Sequence, residues 1–256
     1  MKFYILFAGF NTCPDRDGLS PGRHSGAPFT FPMYMYLIEH PQGLVVVDTG
    51  IIKEHWFDFQ QPGLDVPEEC RIDRQLEALG YKPSDVKYVI QTHLHSDHAG
   101  GMPYLPDATF IIRREEAREA WWPEAKERFP VGGPYAYADF KDCRNFDYIE
   151  LEDNVDYDVF GDKSIICIDT KGHSRGHQSV IVNLPNMGKV VIAADAASLP
   201  EQIDEYVMPG GHLYSSEESV KSIDKLRKLR EEGAWVILGH DPDQHPNLKI
   251  APEFYD

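Results

Sequence analysis

Cysteine is scarce in this chain and scattered: Cys13, Cys70, Cys143 and Cys167 are its four, and none form a Cys-x-x-Cys pair. Such spacing argues against a disulfide framework and against a thiolate zinc site, and it makes a reducing cytoplasm the expected location. Positive charge is also in deficit, with 25 Lys and Arg against 42 Asp and Glu and a formal net charge of −17. Nucleic-acid phosphates and anionic membrane surfaces would be repelled, so neither is expected as a partner. The acid excess reads as a solubilising surface. Long apolar runs are missing as well. The apolar start, Phe3 to Phe10, is too short for a membrane span and has no small-x-small cleavage site, so it predicts a first strand. No low-complexity linker divides the 256 residues, and one domain over 1–256 is expected.

What is present is an alternation of strand-like and helix-like segments. Met33–Glu39 and Leu44–Asp48 are β-type runs joined by the turn signal His40-Pro41-Gln42-Gly43. Glu68–Leu79 carries Ile72, Leu76 and Leu79 at helical spacing, with Gly80 as a stop. Val86–Gln91 and Thr109–Ile112 predict strands, and Arg113–Phe129 predicts a charged helix interrupted at Pro123. In the second half, Ser164–Asp169, Gln178–Asn183, Lys189–Ala194 and Trp235–Leu238 predict strands. Ser215–Glu232 predicts a helix with a Ser215/Glu218 capping box, an apolar stripe of Val220, Ile223, Leu226 and Leu229, and a stop at Gly233. The hydrophobic share of 42% suffices for a core of sheets covered by helices.

One run dominates the chemistry. His93-Leu94-His95-Ser96-Asp97-His98 follows the Val86–Gln91 strand and precedes Gly100, Gly101 and Pro103, which disfavour a regular helix. Three imidazoles and a carboxylate at this density match what a borderline cation such as Zn²⁺ requires. Other polar residues stand where predicted strands emerge into loops: Asp48 in Asp48-Thr49-Gly50, His173 in Gly172-His173-Ser174-Arg175-Gly176-His177, Asp195, and His240 in Gly239-His240-Asp241. Strand ends are where side chains converge on a common site. A Ser-His-Asp arrangement built on Ser174 or Ser96 is the weaker alternative.

With His93, His95, Asp97 and His98 in the pattern His-x-His-x-Asp-His, followed in order by His173, Asp195 and His240, the chain resembles the metallo-β-lactamase superfamily. Within it, Tyr36-Leu37-Ile38-Glu39, Asp97-His98-Ala99-Gly100-Gly101, Gly176-His177-Gln178-Ser179 and Gly239-His240-Asp241 are similar to stretches of the N-acyl homoserine lactonases. The resemblance implies an α/β fold, the layered αββα sandwich, built from two similar halves. It implies two Zn²⁺ per chain, with Co, Mn or Fe as other options: one on His93, His95 and His173, the second on Asp97, His98 and His240, and Asp195 bridging. It gives Asp48 the task of orienting the ligand loops, and His177 a structural role. The implied activity is that of a metal-dependent hydrolase opening the lactone ring of N-acyl homoserine lactones, which quenches quorum signals. A hydroxide shared by the metals attacks the carbonyl. Asp195 and Asp97 are the implied catalytic carboxylates, Asp195 passing a proton to the leaving alkoxide. The alternatives are a hydrolase of another lactone, ester or thioester on the same centre, and a non-hydrolytic diiron or binding module.

One position departs from the lactonase pattern. A tyrosine three residues after the bridging Asp donates to the substrate carbonyl in those enzymes, and Ser198 stands there in this chain. Losing one oxyanion donor typically costs about 2.7–4 kcal/mol, so Tyr206, His212 or Tyr214 is expected to supply a substitute. Phe29 and Trp56, with Phe31, Phe57 and Phe59, are expected to line a groove for the acyl chain of the small-molecule substrate.

Overall fold

Alternating side chains along the first strand already define two layers. In β1 (Lys2–Cys13), Phe3 and Ile5 point to one face and Tyr4, Leu6 and Ala8 to the other, as the two-residue period of a strand requires. The computed structural model describes residues 1–55, 63–121, 135–210 and 213–256. It places β1 at the edge of a sheet of six strands in chain order, with β2 (Phe29–His40), β3 (Gly43–Val47), β4 (Val86–Ile90), β5 (Thr109–Arg113) and β6 (Asp147–Leu151). β1 to β3 pair antiparallel and β3 to β6 parallel.

The second sheet runs in the order β11, β10, β9, β8, β7. Its members are β7 (Tyr157–Asp158), β8 (Ile165–Asp169), β9 (Gln178–Leu184), β10 (Gly188–Ala194) and β11 (Trp235–Leu238). All pairings are antiparallel except β10 with β11.

Between the sheets, Tyr36, Ile38, Val45, Val47 and Ile90 of the first meet Ile165, Cys167, Val180, Val190 and Ile192 of the second. Both sheets also bury their outer faces. Ile72 and Leu76 of α1 (Ile72–Ala78) join Leu6, Leu37, Val46 and Val89 outside the first. Ile203 of α5 (Pro200–Glu205) and Leu226 of α6 (Ser216–Glu231) join Ile181, Val191 and Ala193 outside the second. The remaining α-helices among the described residues are α2 (Ser96–Ala99), α3 (Arg114–Trp121) and α4 (Tyr137–Phe140). The order of layers is helix, sheet, sheet, helix, the αββα arrangement the resemblance implies.

Element boundaries moved in three places. Asn11–Cys13 and Phe29–Pro32, outside the expected strands Phe3–Phe10 and Met33–Glu39, extend β1 and β2 and pair as Thr12 with Thr30 and Cys13 with Phe29. Pro32 signals a break, yet it sits inside the ladder opposite Phe10. The helix expected over Glu68–Leu79 divides: a 3-10 turn at Glu68–Cys70 ends in an extended Arg71 (φ −69, ψ 142), and α1 starts after it. The guanidinium of Arg71 pairs with Asp73 at 2.7 Å, anchoring the break. The charged helix expected over Arg113–Phe129 is α3 up to Trp121, and its remainder lies outside the described residues. α6 forms where predicted, with the hydroxyl of Ser215 accepting from the Glu218 amide at 3.3 Å; its buried stripe narrows to Ile223 and Leu226, Val220 being exposed and Glu218 pairing with Lys221. Among the described residues no helix is long and apolar enough to cross a membrane.

Candidate metal centre

Strands from both sheets deliver polar residues to one rim. Asp48 follows β3 with a left-handed backbone (φ 57), Thr92 and His93 follow β4, Asp195 follows β10, and His240 follows β11. Across the sheets, the Gln178 amide donates to Thr92 O at 2.9 Å, and its side chain to Gln91 O at 2.8 Å. The rim is therefore stitched where the histidines emerge.

The His93–His98 run contains one helical turn, α2, with His95 at its N-cap. The sequence predicts no regular helix there. The glycines act differently, by permitting close approach. A Cβ on Gly100 would lie 2.6 Å from the Ile52 nitrogen, and one on Gly101 2.3 Å from Thr49 O. The turn is thereby pressed onto Asp48-Thr49-Gly50, where the Thr49 amide donates to His98 O at 2.7 Å and the Gly100 amide to Gly50 O at 2.8 Å.

Seven side chains converge. His95 Nδ1 and His173 Nε2 are 2.9 Å apart. One oxygen of Asp195, Oδ1, lies 3.1 Å from His240 Nε2 and 3.3 Å from His98 Nε2; the other, Oδ2, lies 3.3 Å from His173 Nε2. Asp97 Oδ2 is 3.6 Å from His240 Nε2 and 3.8 Å from His98 Nε2. The donor atoms of His93, His95 and His173, of His93, His98 and Asp195, and of Asp97, His98 and His240 each fall within 4.8 Å of one another. All but the half-buried Asp97 are buried.

Ring orientation is fixed from behind. The outer nitrogen of His98, Nδ1, meets Asp48 Oδ2 at 2.7 Å, His93 Nδ1 meets Thr92 Oγ1 at 3.0 Å, and His240 Nδ1 donates to Pro32 O at 2.9 Å. Asp48 is itself held by the amide and hydroxyl of Thr92, both at 2.8 Å. Each ring thus turns Nε2 inward. Among the described residues His93 Nε2, His98 Nε2 and Asp195 Oδ1 are buried with no hydrogen-bond partner, a costly condition unless something else satisfies them. Nitrogen and carboxylate donors in this number suit a divalent transition metal, so the residues fit the ions that the resemblance implies.

Electrostatics point the same way. Burial works against a charge on His98, yet Asp97, Asp48 and Asp195 outweigh it and hold its pKa well above the usual value. Burial likewise opposes the Asp195 carboxylate, and His240, His98 and His173 outweigh it and pull its pKa well down. The cluster draws positive charge into a buried space. His177 stands behind it, as expected of a structural residue. Its Nε2 accepts from the Asp195 amide at 3.1 Å and its Nδ1 meets Thr170 Oγ1 at 2.9 Å. Burial pushes its pKa down to about 3, so the ring is neutral and free to accept.

A model of the metallo-beta-lactamase superfamily matches residues 30–240. The chain belongs to the metallo-beta-lactamase superfamily. It is 38% identical to N-acyl homoserine lactonase AttM of Rhizobium radiobacter over 267 residues, covering 100% of this chain and 98% of that one. An N-acyl homoserine lactonase of Bacillus cereus is 31% identical, with 99% and 98% covered. A solved N-acyl homoserine lactone hydrolase with its product N-hexanoyl-L-homoserine at the catalytic metal centre superposes with a TM-score of 0.85. It is 27% identical, and 99% of this chain and 98% of that chain are covered. These relatives place the chain among the hydrolases of the superfamily.

Around this metallo-beta-lactamase centre the expected substrate residues divide. Ser198 is buried, and its carbonyl accepts from the His240 amide at 3.0 Å. Phe29 lies under the Arg16 guanidinium, 5.1 Å from its ring centre, and stacks on Phe31, whose ring meets His240 at 5.0 Å. An aromatic path therefore leads along β2 to the centre. The Tyr206 hydroxyl donates to Asp224 of α6 at 2.5 Å, and Arg227 covers its ring. Tyr214 is exposed, and its ring faces Arg175. Trp56 and His212, like Phe57 and Phe59, lie outside the described residues. Neither Thr92 nor Glu116, a fully buried carboxylate at the start of α3, stands out in the sequence. A glutamate in an Arg- and Glu-rich segment reads as surface.

The loop before β2 is held by acids. Asp15 accepts from the amides of Asp17, Ser25 and Gly26 at 3.1, 2.8 and 2.8 Å, and these bonds lower its carboxyl to about 2. The loop also reaches α5 through a bidentate Arg16–Glu201 pair with contacts of 2.8 Å. A depressed carboxyl stabilises the folded loop above its free pKa of 3.8 and loses that contribution as pH falls. Hydrogen-exchange protection factors at Ser25 and Gly26 are expected to hold above pH 4 and to drop between about pH 4 and 2. Protection unchanged across that window contradicts this role.

Proposed function

We propose that this chain opens the lactone ring of N-acyl homoserine lactones at a centre of two divalent cations, zinc foremost. The observation that carries the reading is Asp195, whose two oxygens face different histidines, Oδ1 toward His98 and His240 and Oδ2 toward His173. On this reading His93, His95 and His173 would hold one cation and Asp97, His98 and His240 the other, with Asp195 available to both. Such cations, when bound, supply Lewis acidity toward a carbonyl and lower the pKa of water toward neutrality.

The chain's own residues do the rest. Water adds to the lactone carbonyl, the ring C–O bond breaks, and the proton lost by the water must reach the departing alkoxide. Asp195 is the carboxylate at the centre of the cluster and the group to carry it. Asp97, less buried, faces the same space from the mouth. Phe31 and Phe29 offer the acyl chain an apolar wall. Donors come from both halves, which supports treating residues 1–256 as one catalytic domain, and four free cysteines suit a reducing compartment.

Asp48 acts through His98. Asp48→Asn keeps the shape but removes the charge behind that ring, and it is expected to weaken metal binding by roughly 10- to 100-fold, read by competition with a chromogenic chelator. Wild-type affinity in that variant contradicts its orienting role.

The substrate is tested by mixing metal-loaded protein with N-hexanoyl homoserine lactone and following proton release and the ring-opened product by mass. Ser198, holding His240 through its carbonyl where the lactonases carry a tyrosine, favours a second reading: a hydrolase of another lactone, ester or thioester. Cleavage of a thioester with every lactone left intact would establish that reading over the first.

A further inference from the structure

We infer that Glu116 is a positioning residue that sets the spacing between the two loops supplying the three-histidine half of the centre. The inference rests on the metal-centre reading above. Glu116 is 0% exposed and each of its oxygens accepts two hydrogen bonds. Oε1 takes the Leu94 amide at 2.9 Å and the Tyr135 hydroxyl at 3.2 Å. Oε2 takes the Ser174 hydroxyl at 2.6 Å and the Gly176 amide at 2.9 Å. Leu94 lies between His93 and His95; Ser174 directly follows His173. One carboxylate therefore clamps both loops, one oxygen to each. Tyr135 extends the clamp, since its ring meets that of His95 edge-on at 5.0 Å.

The surroundings are shaped for this contact. Gly176 passes so near that a Cβ there would stand 2.4 Å from the Glu116 nitrogen, so only glycine lets the loop reach the carboxylate. Outside, Arg175 of the same loop pairs with Glu115 at 3.2 Å and Glu119 at 3.7 Å, pinning it to α3 again. The four donors to Glu116 among the described residues are neutral, although burying a carboxylate without a cation is unfavourable. A cation held by His93, His95 and His173 would supply counter-charge. Glu116 thus couples loop geometry and local charge to that half of the centre without touching the reacting atoms.

A glutamine cannot take over. Its amide nitrogen must face either the Leu94 or the Gly176 backbone N–H, and a backbone donor cannot turn around to accept. Glu116→Gln is therefore expected to release one loop, and Glu116→Ala both. The test strips wild type, Glu116→Gln, Glu116→Ala and Ser174→Ala of metal and titrates each with Co²⁺, reading affinity and the visible spectrum. Melting of metal-free and loaded forms is followed in parallel. Glu116→Gln is expected to weaken Co²⁺ binding by roughly 10- to 100-fold and to alter the spectrum. Ser174→Ala, which removes one of the four bonds and leaves the backbone intact, is expected to show a smaller shift in the same direction; it carries the test if the Glu116 variants do not fold. Wild-type affinity and spectrum in the folded variants, with melting lowered equally in both forms, overturn the inference and leave an architectural residue. A wild-type chain that takes up no Co²⁺ overturns the metal-centre reading, and the inference with it.

Discussion

Replacing Asp195 by alanine is expected to lower lactone turnover by roughly 10³- to 10⁴-fold, the upper range for losing a positioned proton-transfer group. The size follows from where the side chain stands. Its oxygens lie 3.1–3.3 Å from imidazole nitrogens of three residues, His98, His173 and His240. Removal therefore costs the proton carrier and the element common to the two donor sets together. Asp195→Asn separates these contributions. The amide keeps one acceptor oxygen and most of the shape, so it is expected to retain part of the metal and little of the turnover. Steady-state rates normalised to bound metal check this, and turnover within tenfold of wild type in either variant contradicts the assignment.

Metal removal is expected to have the second largest effect, on stability as well as turnover. Among the described residues His93 Nε2, His98 Nε2 and Asp195 Oδ1 are buried without a hydrogen-bond partner, and satisfying them by coordination stabilises only the folded chain. A cation present at about a thousand times its dissociation constant adds roughly 4 kcal/mol per site. At about 2–4 °C per kcal/mol for a chain of this size, one loaded site raises the melting temperature by roughly 10 °C. Differential scanning calorimetry of chelator-treated and zinc-reconstituted protein checks this, and coincident melting curves contradict it. Turnover is expected to vanish with the metal and return with it.

Much of the centre was legible in the sequence because its donors are spelled locally or stand at strand ends. The His93–His98 run needs no fold to be noticed, and His173, Asp195 and His240 were marked by the apolar strands before them. Sheets covered by helices were legible from the alternation of strand and helix patterns, whereas the two-sheet sandwich was implied only by the resemblance. What stayed hidden depends on contacts distant in sequence. Glu116 looks like any surface glutamate until α3 is laid against the loops at Leu94 and Ser174. The extensions of β1 and β2 were masked by Pro32, which the pairing with Phe10 tolerates. Which hydroxyl stands in for the tyrosine absent at Ser198 is not legible either, since sequence position does not say which way a ring turns.

The most direct test is to titrate metal-free protein with zinc while following ring opening of N-hexanoyl homoserine lactone and counting bound metal. Turnover is predicted to be absent at the start, to rise with added zinc and to level off at two ions per chain. A protein that binds two ions and leaves the lactone intact, or one that opens it equally well with none, would contradict the account.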